Sequence, residues 1–165
     1  MTDAIRISFD LHDTLVCDAS VPSENTLRPW HRLSYGEPLR KGTQALLRTL
    51  HRQHCRLWID TTSRRSPHYI AGWFRAIDTP IQGIVNLNRH EQVVGLRGPS
   101  KFPPAFGIGL HIDDSAAVGM EGLAHGFRVL VVVPHDLAWA ERVLQTVAEL
   151  RATASTMGNL APVTQ

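Results

Sequence analysis

The chain has 165 residues and a formal net charge of +2 with histidine neutral, which suits one globular domain with a real core. Lysine and arginine are scattered, the longest basic cluster being Arg64-Arg65, so no nucleic-acid footprint is present. Two cysteines, Cys17 and Cys55, are too few for a disulfide framework. No apolar run reaches the length of a membrane span and nothing resembles a signal peptide, so a cytoplasmic protein with free thiols and no membrane partner is expected.

Residues 5–11 read as a first strand, followed by a polar, proline-containing stretch over 17–41 that would form a short flap-like segment. Residues 42–53 carry helical spacing, with Ala45, Leu46, Leu47 and Leu50 on one side. Residues 56–61 form a second strand. Ser66-Pro67 opens a helix, serine as cap and proline in the first turn, continuing to Ile77. A third strand is expected over 83–87, then an irregular segment over 88–104. Residues 110–113 give a fourth strand and 115–124 a short helix. The fifth strand, 127–133, is so continuously apolar that burial on both faces is expected. A last helix spans about 137–152, and the tail from Thr153 is expected to fray. This alternation predicts an α/β, Rossmann-like three-layer sandwich around a parallel sheet of about five strands.

Such folds bind ligands beyond the carboxyl ends of the strands. Strand one ends in Asp10-Leu11-His12-Asp13-Thr14, strand two in Thr61-Thr62-Ser63 and strand four in Asp113-Asp114-Ser115, with Lys101 just before strand four. Each residue alone has an ordinary explanation: a turn former, a helix cap, a solvated lysine. Together they fall at one edge of the sheet. Carboxylates from adjacent strands repel unless a cation or proton lies between them, and Mg²⁺ favours such oxygen ligands.

In order along the chain, these residues resemble the motifs of the haloacid dehalogenase (HAD) superfamily, whose members are mostly phosphatases. The Asp-x-Asp-x-Thr motif corresponds to Asp10-Leu11-His12-Asp13-Thr14, the strand-two Ser/Thr to Thr61 or Thr62, the lysine to Lys101, and the acidic pair to Asp113-Asp114. The resemblance implies an aspartyl-phosphate on Asp10 and Mg²⁺ held by Asp10, Asp113, Asp114 and the backbone carbonyl of His12. It implies a phosphate contact from Thr61, charge pairing from Lys101 to the phosphoryl group and Asp10, and loop support from Thr14.

The sequence departs from the pattern at His12, where the family's phosphatases carry the acid/base aspartate. Histidine transfers protons near neutral pH. Two readings follow: a hydrolase of a phosphomonoester, or an impaired or non-catalytic relative that keeps the metal site. A phosphoacceptor receiver domain is disfavoured, because its acceptor lies on the third strand and that strand here ends in Asn86-Leu87-Asn88. No segment is long enough for a full cap domain, so an open site is expected, suited to a large substrate or to a small one enclosed by a homo-oligomer partner. Arg64 could bind a second anionic group of the substrate at the following helix N-terminus. His31, His68, His90 and His111 show no zinc spacing and are taken as surface or core residues.

Overall fold

The computed structural model describes residues 4–24, 27–79 and 81–159. Five parallel strands form the central sheet: β1 (Arg6–Phe9), β4 (Arg56–Asp60), β5 (Gly83–Val85), β6 (Leu110–Asp113) and β7 (Val129–Val131). Their spatial order is β5-β4-β1-β6-β7. The remaining strands, β2 (Ser23–Glu24) and β3 (Leu39–Arg40), form a small antiparallel hairpin. The helices are α1 (Thr43–Arg52), α2 (Pro67–Ala76), α3 (Leu87–Val93), α4 (Ala116–His125) and α5 (Trp139–Asn159).

Period-two alternation splits the three central strands into two unlike faces. Ile7, Phe9, Leu57, Ile59, Leu110 and Ile112 are all buried in the main core. That core takes Leu46, Leu47 and Leu50 from α1, Trp73 and Phe74 from α2, and Trp139, Val143 and Val147 from α5. The alternate positions are Ser8, Trp58, Asp60, His111 and Asp113. They share the second face, where Trp58 packs with Val85, Phe106 and Ile108. Gly83 lies opposite Trp58 in the register, and a Cβ there would stand 2.4 Å from the indole. Only a residue without a side chain admits the ring.

Several boundaries differ from expectation. The third strand stops at Val85, because the Asn86 side chain accepts a hydrogen bond from the Arg89 amide and starts α3. The expected irregular segment therefore begins with a helix. The fifth strand is short, lies at the sheet edge and is only half-buried. Its apolar run continues beyond the ladder to Val133, which is exposed. The last helix runs past Thr153 to Asn159; residues 160–165 lie outside the described residues. The Ser66 cap is present, its hydroxyl accepting from the Tyr69 amide at 3.1 Å.

Residues 17–41 contain the β2–β3 hairpin and a 3₁₀ turn, His31–Leu33. This segment is docked. The Glu24 carboxylate accepts from the amides of Gly42 and Gln44 at the start of α1 (2.9 and 2.7 Å), and Tyr35 stacks on Trp73. Arg40 is buried, its guanidinium over the Trp139 ring at 4.6 Å. It donates to the carbonyls of Val133 (2.7 Å) and Asp136 (2.8 Å), tying the hairpin to the chain leaving β7. Arg40→Met should lower the unfolding free energy by about 3 kcal/mol, because these part-buried carbonyls lose a charged donor. Urea denaturation checks this; a midpoint equal to wild type would contradict it.

Candidate active site

Strand ends bring the acidic residues together. Asp10 follows β1, its amide donating to the Ile112 carbonyl at 2.8 Å, so β6 fixes where Asp10 begins. Its side chain lies on the polar face with Asp60 and Asp113. Lys101 reaches this face from the segment after α3. Its ammonium donates to Asp10 Oδ1 at 2.7 Å and to the Asp60 carbonyl, and stands 3.8 Å from Asp60 Oδ1 and 4.0 Å from Asp113 Oδ2. Lys101 is only 2% exposed, so water screens little of this charge. Glu121 of α4 holds the lysine loop, accepting from the Ser100 amide at 3.0 Å and the Ser100 hydroxyl at 2.7 Å.

The two acids after β6 face different surroundings. Both oxygens of Asp113 are engaged, Oδ2 with His111 Nε2 and Oδ1 with the Ser115 amide, each at 2.9 Å. Burial pushes the Asp113 carboxyl up, but His111, Lys101 and the Ser115 amide outweigh it and hold the group below its ordinary value. Asp114 is half-buried and accepts from the Thr14 hydroxyl on Oδ1 at 3.2 Å. Burial, then the negative charges of Asp113 and Asp10, push its carboxyl above the ordinary value. The strand ends thus hold more negative charge than Lys101 balances.

The donor set fits a hard divalent cation on that ground. Among the described residues, no three His, Cys, Asp or Glu side chains converge as an all-side-chain metal cage. Mg²⁺ does not need one, since it binds through one or two carboxylates and keeps several waters.

The other expected residues divide. Thr61 is buried immediately after β4, and its hydroxyl oxygen accepts from the Ser63 amide at 3.2 Å. Thr62 is exposed. His12 is exposed at the turn after β1. At Asp13 the chain leaves the extended path of β1: its φ is 55°, in the left-handed region, and its side chain is exposed. Arg64 is paired with Asn88 Oδ1 at 2.8 Å and Glu91 Oε1 at 3.5 Å. It is engaged by α3 and not by the acidic cluster. A wide groove of about 770 Å³ lies between α1 and α2, lined by Arg48, Arg52, Arg75 and Asp78. It holds none of these strand-end residues, and the convergent charges mark the strand ends as the candidate site.

Sequence reasoning missed Ser8, Asp60, His111 and Glu121. The first three carried a signal: polar residues at alternate positions of strands that are otherwise apolar. Glu121 is brought in only by the tertiary path of α4, and no local pattern announces it.

No family model and no curated protein matches the chain. Among solved structures, it is similar to the crystal structure of a HAD-superfamily hydrolase, subfamily IA variant 1, from Geobacter sulfurreducens. The TM-score is 0.57 at 13% sequence identity, covering 87% of this chain and 99% of that chain. The likeness establishes a HAD-like fold for the five-stranded sheet. Among the described residues, no helix is long and apolar enough to cross a membrane.

The raised Asp114 carboxyl gives a signed prediction. Its stabilising share is present below the unfolded value, about 3.9, and is lost as pH rises through the higher folded value. At pH 7 in EDTA, Asp114→Asn should therefore melt above wild type, the gap closing as pH falls below about 4. Thermal melts over that range check it; a variant that melts lower at pH 7 would contradict it.

Proposed function

We propose that the chain is a Mg²⁺-dependent phosphoryl-transfer enzyme, a phosphatase acting on a phosphomonoester through Asp10. The observation that carries the reading is the Lys101 ammonium, 2.7 Å from Asp10 Oδ1 at the carboxyl end of the central strand. Only one Asp10 oxygen is engaged by that contact. Asp10, Asp113 and Asp114, with the backbone carbonyl of His12, are the oxygens to hold the cation. Bound there, Mg²⁺ offsets the repulsion between an anionic nucleophile and an anionic ester.

The residues then divide the work. Asp10 attacks phosphorus and the ester oxygen leaves, which splits one displacement into two. Lys101 pairs with the entering phosphoryl oxygens, and the Thr61 hydroxyl, whose proton is not used in its bond to Ser63, donates to another. His12 is exposed beside the nucleophile, where it can protonate the leaving oxygen and later take a proton from water. Thr62, exposed one residue further on, is the alternative phosphate contact after β4. A docked hairpin, with no full cap domain, leaves the site open to a large phosphorylated substrate or to a small one enclosed by a second copy.

One observation favours a second reading, a metal-binding relative with little turnover. His12 replaces the carboxylate that performs proton transfer in similar phosphatases. General acid–base catalysis supplies about 10²–10⁴ of an enzyme's rate, so a poor substitute slows the reaction without ending it.

Phosphate release from a panel of phosphomonoesters with Mg²⁺ tests both readings. Asp10→Asn should abolish release. His12→Ala should lower kcat by about 10²-fold if histidine is the proton carrier. Equal release by wild type and Asp10→Asn would overturn the phosphatase reading. A gain of that size in His12→Asp, over a near-inactive wild type, would favour the impaired relative.

A further inference from the structure

Behind Asp113 runs a buried polar chain that the proposed chemistry does not use directly. Ser8 of β1 and His111 of β6 are register partners in the sheet, and neither is exposed to solvent. Ser8 Oγ stands 2.8 Å from His111 Nδ1, and His111 Nε2 stands 2.9 Å from Asp113 Oδ2. His111 and Asp113 are two residues apart on one strand, so the pleat aims both side chains at the same face.

For a neutral imidazole the donors and acceptors admit one arrangement that leaves none idle. An ionised carboxylate only accepts, so Nε2 must carry a proton and donate to Asp113. The Ser8 hydroxyl, with Nδ1 as its side-chain partner, then donates to Nδ1. Asp113 Oδ1 is taken by the Ser115 amide. Its carboxylate is thus held at both oxygens, with Oδ2 turned toward Lys101 at 4.0 Å. Asp114 receives the Thr14 hydroxyl on Oδ1 and is less tightly held than Asp113.

We propose that His111 is a positioning residue: anchored by Ser8, it locks the Asp113 carboxylate in place beside Lys101. The inference deepens the phosphatase reading and rests on it for its kinetic consequence. Lys101 thus has a second, fixed anion at 4.0 Å besides Asp10, which holds its ammonium at the reacting phosphoryl group. If Asp113 rotated, Lys101 would lose one of its anchors.

Two substitutions separate positioning from mere filling of space. The glutamine amide in His111→Gln reaches the place of Nε2 and can still donate to Asp113. The asparagine amide in His111→Asn reaches only the place of Nδ1 and leaves Asp113 Oδ2 without its donor. With p-nitrophenyl phosphate and saturating Mg²⁺, His111→Gln should stay within about threefold of wild-type kcat. His111→Asn should lose about 10–100-fold in kcat with little change in KM, the range for groups that orient metal-site ligands. Thermal melts confirm that both variants fold. Equal kcat in the two folded variants, at either level, would overturn the proposal.

Long-range ¹⁵N–¹H spectra of wild-type His111 supply the independent readout. A slowly exchanging proton on Nε2 is expected, and a ring protonated only on Nδ1 would overturn the proposal whether or not the variants fold. If wild type hydrolyses no ester, the phosphatase reading fails on its own, and the imidazole spectrum still decides how Asp113 is held.

Discussion

A single ammonium group, Lys101 Nζ, stands within 4.0 Å of carboxylate oxygens from the ends of three adjacent strands. The sheet order makes this unavoidable: β1 lies between β4 and β6, so Asp10, Asp60 and Asp113 end side by side on one face. Three carboxylates in a nearly dry place cannot all stay ionised without cations between them. Lys101 meets part of that demand. His111 and the Ser115 amide settle Asp113. One oxygen of Asp60 remains buried with no partner in protein, and Asp114 is pushed toward its neutral form. The residual demand for positive charge is the physical reason to place a cation here.

The rest of the fold serves that arrangement. One face of the central strands is wholly apolar and packs on α1, α2 and α5, which fixes strand order and register. The other face is covered by the segment after α3, with Phe106 and Ile108 packed near Trp58, and that same segment carries Lys101 across the strand ends. Glu121 pins the loop at Ser100, one residue from the lysine. The hairpin of residues 17–41 is tied down through Glu24, Tyr35 and Arg40, so its position is set by packing.

Much of this was legible in the sequence. The alternation of apolar strands and amphipathic helices predicts the parallel sheet, and the acidic strand ends point to the candidate site. What was not legible depends on tertiary context. The edge position of β7 is invisible in a run of valines that reads like a buried strand. Asn86 could be strand or cap, and only its bond to the Arg89 amide decides. Arg64 looks like an anion ligand until α3 supplies Asn88 and Glu91. His111 looks like an isolated core histidine until the register places Ser8 beside it. In each case the residue type was evident and its partner came from elsewhere in the chain.

The central claim is that Asp10 itself becomes phosphorylated. Rapid acid quenching after mixing with a phosphomonoester and Mg²⁺, followed by peptide mass spectrometry, tests it most directly. The account predicts an acid-stable, hydroxylamine-labile phosphoryl group on the peptide containing Asp10, absent in Asp10→Asn. Phosphate release with no modified Asp10 at any quench time, or the same modification persisting in Asp10→Asn, would contradict it.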